Sequence, residues 1–314
     1  MKAVICRSYG SPDDVLRIED VDKPACGNDE LLIRVRAAGL NPANTHMLTG
    51  KSVVRMMYGM RRPKDPRTGA DVAGVVESVG RNVTRFKAGD EVFGMCRGAL
   101  AEYACISIAV MKPANVPFEQ AGAVAIAGFT ALQALRDKAQ LRAGQTVLIN
   151  GAAGGVGSFA VQIAKAFGAH VTGVCSARNV ELVRSIGADE VLDYSREDFT
   201  KRGERYDVIL DCYSNRSLFA YRRVMKPDGQ YIAIGGPFYS ALALVLRLIT
   251  TLLMPRFRIM VAKRSIDDLA VLAELMAAGK LTPVIEQRYA LTDVAKAYAH
   301  VAAGHTRGKV VIIP

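Results

Sequence analysis

The sequence predicts an α/β protein in two parts, a β-rich portion followed by a doubly wound parallel sheet. Three observations carry this. An apolar strand at residues 146–150 runs straight into the glycine-rich Gly151-Ala152-Ala153-Gly154-Gly155-Val156-Gly157 and on into an amphipathic stretch, 158–165. From residue 146 to 234, short apolar runs alternate with helical patterns. Before residue 146 the apolar runs are short and bounded by turn residues, which is the texture of a β-rich domain.

In order along the chain, residues 1–6 read as a strand and not as a signal peptide. Residues 31–37 alternate apolar and basic side chains, 72–79 form an apolar run with small residues, and 91–93 follow the Gly89-Asp90 turn. Turn signals stand at 24–29 and at Arg81-Asn82. The parallel-sheet strands are expected at 146–149, 171–174, 191–192, 207–211 and 231–234, with helices between them. The chain closes with a helix near 266–278, a turn at Thr282-Pro283, a helix near 293–303 and a strand at 309–313.

A glycine-rich turn between strand and helix lets backbone N–H groups approach a pyrophosphate at the helix end that favours anions. Read as A-x-G-x-x-G, the fingerprint places Ala152, Gly154 and Gly157 in register, with Gly155 and Val156 between the last two, and the second apolar run at 170–175 completes a βαβ unit. At the end of that run an NAD site would carry an acid for the ribose hydroxyl. The segment reads Cys175-Ser176-Ala177-Arg178-Asn179, with no acid before Glu181. A serine hydroxyl and a guanidinium suit a 2′-phosphate, which a carboxylate would repel, so NADP(H) is the expected cofactor.

The chain has 314 residues, enough for about two domains, and half of them are hydrophobic, which excludes a disordered binder. Its six cysteines are scattered without C-x-x-C pairs, so reduced thiols and a cytoplasmic location are expected. The four histidines, His46, His170, His300 and His305, fall in separate segments without a ligand pattern. The formal charge of +11 makes an acidic partner plausible, but the basic residues are not interleaved with aromatics, so nucleic acid is not expected. Residues 237–254 form an apolar run with Arg247 at mid-length, unsuited to a transmembrane helix. The stretch 237–262 reads as a subunit interface, a substrate lid or a peripheral membrane contact.

Taken together, Arg36-Ala37-Ala38-Gly39-Leu40-Asn41-Pro42, Gly69-Ala70-Asp71-Val72-Ala73-Gly74, Phe86-Lys87-Ala88-Gly89-Asp90-Glu91-Val92-Phe93-Gly94, Ala127-Gly128-Phe129-Thr130-Ala131-Leu132 and Arg307-Gly308-Lys309-Val310-Val311 resemble the medium-chain dehydrogenase/reductase superfamily. The resemblance is to its zinc-independent quinone oxidoreductase branch and spans essentially the whole chain. It implies a GroES-like catalytic domain at 1–120, completed by 262–314, around a Rossmann NADP(H)-binding domain at 121–261, and a homodimer. It also implies roles for single residues. Asn41 lines the nicotinamide and substrate cleft, and Thr130 contacts the cofactor. Gly154, Gly155, Val156 and Gly157 hold the pyrophosphate, and Ser176, Arg178 and Tyr194 surround the 2′-phosphate. Gly235 and Gly236 follow the strand that ends near the nicotinamide, and Lys309 reaches the cofactor from the last strand.

Metal-dependent relatives have Gly-His-Glu where this chain has Gly69-Ala70-Asp71, so no metal is expected. Without a Lewis acid, hydride transfer favours acceptors that are already electrophilic, such as quinones and α,β-unsaturated carbonyls. Two alternatives stand beside this. One is a reductase or dehydrogenase of simple ketones or alcohols, and the other is a membrane-associated NADPH-binding protein with little turnover.

Overall fold

The structure, a computed structural model, describes residues 1–50, 52–234, 254 and 256–314, with the side chains of residues 52, 53 and 57 excepted. Gly235 and Gly236, and most of the 237–262 stretch, lie outside the described residues. The chain divides into two compact units, one formed by Met1–Ala127 with Arg264–Pro314, the other by Gly128–Lys263.

In the first unit, β1 (Lys2–Cys6) and β2 (Leu16–Asp20) form a hairpin-like pair. The main sheet contains β3 (Leu31–Leu40), β4 (Asp71–Val79), β5 (Glu91–Cys96) and β6 (Tyr103–Met111), together with the late strands Ile285–Ala290 and Lys309–Ile313. β3 pairs with both β4 and β6, so these four strands close on themselves and leave fewer open edges. The alternation read at 31–37 has its expected consequence. Leu31, Ile33 and Val35 are buried, while Arg34 and Arg36 face out. Ile33, Val72, Val92, Ile106 and Val310 form the dry centre of this core.

The second unit is a parallel sheet of β7 (Thr146–Asn150), β8 (His170–Cys175), β9 (Glu190–Asp193), β10 (Tyr206–Asp211), β11 (Met225–Ala233) and β12 (Phe257–Ile259). The spatial order is β12-β11-β10-β7-β8-β9, and every pair is parallel. Val147, Leu148 and Ile149 are wholly buried, as in a sheet covered on both faces. The order reverses between β7 and β10, and ligands of such sheets bind outside the carboxyl ends at that switch point. The late strands of the first unit are β13 (Ile285–Ala290) and β14 (Lys309–Ile313).

One expectation fails. Cys26 and Cys105 form a disulfide across 79 residues of chain, while Cys6, Cys96, Cys175 and Cys212 are free thiols. Spacing could not show this pair, because β6 at Leu32↔Cys105 brings Cys105 to the start of β3, beside the loop that holds Cys26. Cysteine usage therefore gives no argument for a reducing compartment. Among the described residues, no helix is long and apolar enough to cross a membrane.

Candidate functional site

In the second unit, β7 ends at Asn150 and the chain turns sharply. Gly151 takes φ +83°, and its N–H and that of Ala152 donate to the Val174 carbonyl at 3.1 and 3.0 Å. The residue that makes the tight turn is therefore Gly151, one position before the fingerprint's usual first glycine, which frees Ala152 to be a packed, fully buried alanine. Gly154 is the N-cap of the helix Gly155–Ala166. The N–H groups of Gly155, Val156 and Gly157 open the first turn and have no partner further back in the helix, so they are available to an anion. A side chain at Gly157 would collide with the Gly151 carbonyl, whereas one at Gly154 meets only that oxygen, at 3.4 Å. Gly157 is thus needed by the fold, and Gly154 keeps the outer surface of the loop bare. This cradle fits a pyrophosphate.

The adjoining strands carry the residues expected at the 2′-phosphate. Ser176 caps the short 3-10 helix Ala177–Asn179, which contains Arg178, and its Oγ accepts from Asn179 Nδ2 at 3.1 Å. Tyr194 follows β9, its N–H donates to the Cys175 carbonyl at 3.1 Å, and its side chain is half exposed. Pairing of Cys175 with Asp193 places these three residues at neighbouring strand ends. The same register brings in Asp193. Its Oδ1 accepts from Ser195 Oγ at 2.8 Å and Ser195 N at 3.0 Å, bonds that hold its carboxyl below the usual range. Thr130 lies mostly buried on the helix Ala125–Gln133.

Sequence reasoning missed the support under the loop. Asn150 Nδ2 lies 2.9 Å from Asp211 Oδ1, 3.0 Å from Tyr221 Oη and 3.2 Å from Asn215 Oδ1, and its two N–H groups are shared among these three acceptors. Asp211, fully buried at the end of β10, also accepts from Tyr231 Oη and from the N–H groups of Tyr213 and Ser214. These bonds tie the ends of the two central strands together at the switch point. Strand-end Asn and Asp were the available signal.

In the first unit, strand register gathers a buried polar cluster. Gly39 pairs with Asp71 on one side of β3, and Leu40 pairs with Val310 on the other. Asn41 comes next in the chain, at the cap of the helix Pro42–Thr49. Its backbone N–H donates to Asn44 Oδ1 at 2.8 Å, but its side chain turns to the cluster. Asn41 Nδ2 donates to Asp71 Oδ2 at 2.9 Å, and Lys309 Nζ donates to Asn41 Oδ1 at 2.5 Å. Lys309 Nζ is also 3.5 Å from Asp71 Oδ2, and the Ile126 N–H donates to Asp71 Oδ1 at 3.1 Å. Burial pushes the Asp71 carboxyl up and the Lys309 ammonium down, and each charge opposes the other's shift. Asp71 is the member that the sequence offers only as part of the Gly69-Ala70-Asp71 stretch, with no role of its own.

Two family models match, the alcohol dehydrogenase GroES-like domain over residues 27–117 and the zinc-binding dehydrogenase over 186–312. The whole chain is 33% identical to the chloroplast envelope quinone oxidoreductase homolog of Arabidopsis thaliana, across 98% of that protein. The chain belongs to the quinone oxidoreductase branch of the medium-chain dehydrogenase/reductase superfamily. It is also 33% identical over its whole length to an Arabidopsis thaliana NADPH-dependent alkenal/one oxidoreductase, covering 80% of it. Among solved structures, the Coxiella burnetii quinone oxidoreductase superposes with a TM-score of 0.88 at 28% identity, over 100% of this chain and 99% of that one. The Escherichia coli quinone oxidoreductase, solved in complex with NADPH, gives 0.84 at 25% identity over all of both chains.

One family description includes zinc, so the donors need testing against it. Among the described residues, the one group of three metal-ligand side chains is Cys26, Glu30 and Cys105, and its two sulfurs are bonded to each other. Ala70 offers no donor atom on its side chain, and both Asp71 oxygens are engaged by Asn41, Lys309 and Ile126. These donors do not fit a family-type zinc.

Proposed function

We propose that the protein is an NADPH-dependent, zinc-free reductase of quinones or α,β-unsaturated carbonyls. The observation that carries this is the pairing of a bare glycine cradle with Ser176 and Arg178 at the next strand end, where the nearby acid, Asp193, is held by Ser195. Gly154, Gly155, Val156 and Gly157 would hold the pyrophosphate and Ser176, Arg178 and Tyr194 the 2′-phosphate. Thr130 and Lys309 are kept as further cofactor contacts. When bound, NADPH supplies a hydride from its nicotinamide.

The chain's own contribution to chemistry is assigned to Asn41. A carboxamide has two N–H donors, and Asp71 takes one of them. The second is left for the acceptor's oxygen, where negative charge grows as hydride arrives at a conjugated carbon. Lys309, on the amide oxygen, polarises the group and makes that N–H a stronger donor. Asp71 is a positioning residue, and Lys309, besides its proposed cofactor contact, helps it fix the amide so that no reorganisation is needed when charge develops. This donor is weaker than a metal ion, which restricts the reaction to acceptors that are conjugated already.

Loss of NADPH absorbance with a panel of quinones, enones and saturated ketones tests the reading. Turnover with quinones or enones is expected, unchanged by a chelator. Tight NADPH binding without turnover on any conjugated acceptor overturns it.

A further inference from the structure

A cavity of about 680 Å³ opens in the second unit, away from the nucleotide loop. It is framed by the starts of β11 and β12, by Arg205 just before β10, and by the helix Leu218–Arg223. Because β7 and β10 to β12 are parallel, these are the amino-terminal ends of the sheet, and the glycine cradle follows a carboxyl end. The two sites therefore lie at opposite ends of the parallel strands.

The lining has two chemistries. Five cations surround it: Arg205, Arg222, Arg223, Lys226 and Arg256. Lys226 is paired with Asp207 and Arg256 with Asp228, both at 2.8 Å. Arg205, Arg222 and Arg223 are exposed and have no ion-pair partner among the described residues. The interior is apolar, with Met225, Met254 and Phe257, and Phe219 stands at the rim with 72% of its surface in water. A lone exposed phenylalanine is ordinary on a protein surface; what sets this one apart is its place at the rim of an apolar recess, among three exposed arginines without ion-pair partners among the described residues. The sequence from 229 to 266 contains no Asp or Glu and so adds no acid to this stretch of chain.

We propose that this cavity and its rim dock on an anionic phospholipid bilayer. Headgroup phosphates would take the charge of Arg205, Arg222 and Arg223, and Phe219 would enter the acyl boundary between them. Charge complementarity selects this occupant, since a surface with three uncompensated guanidinium groups and an exposed phenylalanine matches a layer that is anionic outside and apolar beneath. A nucleic acid would use the charge but leave the methionine-lined interior without a role. The proposal does not depend on the reductase reading.

The test is co-sedimentation of the full chain with phosphatidylcholine vesicles, with and without phosphatidylserine, at low salt. Each arginine near an anionic surface is worth roughly a factor of five in partitioning. The triple variant Arg205→Gln/Arg222→Gln/Arg223→Gln is therefore expected to bind about 100-fold more weakly, and Phe219→Ala to weaken binding at unchanged charge. Unchanged NADPH affinity in both variants shows that the fold is intact. The wild type is expected to stay off pure phosphatidylcholine and to be released by high salt. Absence from phosphatidylserine vesicles at low salt, or equal binding by the triple variant, overturns the proposal. So does arginine-dependent binding of a single-stranded oligonucleotide that vesicles cannot displace.

Discussion

The buried Lys309 ammonium and the buried Asp71 carboxylate meet 3.5 Å apart, with the Asn41 carboxamide bridging them. Neither charge has water to turn to, so the pair holds the amide in one orientation. Removing either partner strands the other.

Lys309→Met is expected to destabilise the fold by about 3–5 kcal/mol, because an uncompensated carboxylate stays buried. Its pH dependence has a definite sign. Burial already raises the Asp71 carboxyl, and loss of the counter-charge raises it further. The folded variant then keeps a proton that the unfolded chain releases. Its stability is fullest below the ordinary carboxylate pKa and falls as pH rises from there through the raised value. Urea melts at about pH 5 and about pH 8 check this, since equal stability at both contradicts a stranded Asp71.

Asn41→Ala removes the donor assigned to the acceptor oxygen. A fall in kcat of about 100-fold or more is expected, the usual loss for such a donor. NADPH affinity should be unchanged, so a titration by cofactor fluorescence beside the rate measurement separates a catalytic loss from a binding one.

Gly154→Ala and Gly157→Ala should part company. At Gly157 a methyl group collides with the Gly151 carbonyl, so this variant loses thermal stability along with cofactor binding. At Gly154 the nearest atom is 3.4 Å away, so this variant should melt with the wild type and yet bind NADPH more weakly, because the methyl group occupies the pyrophosphate's approach. Thermal melts and cofactor titrations of both variants read the difference.

Arg178→Ala is expected to weaken NADPH by about 10-fold or more, the worth of a charge-assisted bond, and to leave NADH unchanged. Equal losses for the two cofactors would mean that Arg178 serves the loop's structure and not the 2′-phosphate.

The Cys26–Cys105 disulfide closes a long loop, so reduction should cost about 2–4 kcal/mol. Thermal unfolding with and without reductant shows it, and the Cys26→Ser/Cys105→Ser variant should no longer respond to reductant.

What could be read in advance follows from how each feature is encoded. The parallel sheet was legible because β7, β8 and β10 are continuous apolar runs with helices between them, and β3 because Leu31, Ile33 and Val35 alternate with basic residues. β13 was not, since Gln287 and Arg288 sit mid-strand with no alternation to mark a face. The glycine loop and Ser176-Ala177-Arg178 are local in sequence, so both are legible there as candidates. The Asn41, Asp71 and Lys309 cluster depends on the register of β4, β3 and β14, which puts residues far apart in the chain side by side. Asn41 and Lys309 were picked out singly, but nothing local shows that Asp71 joins them. The disulfide was hidden for the same reason, and the role of Gly151 appears only with its left-handed φ.

The proposed reaction is hydride transfer to a conjugated acceptor without a metal. It is tested by reacting the chelator-treated protein with NADPH deuterated at both C4 positions of the nicotinamide and an α,β-unsaturated ketone, with the product read by mass spectrometry and NMR. One deuterium is expected at the β-carbon, with the carbonyl intact. Deuterium at the carbonyl carbon, in an alcohol product, would contradict it.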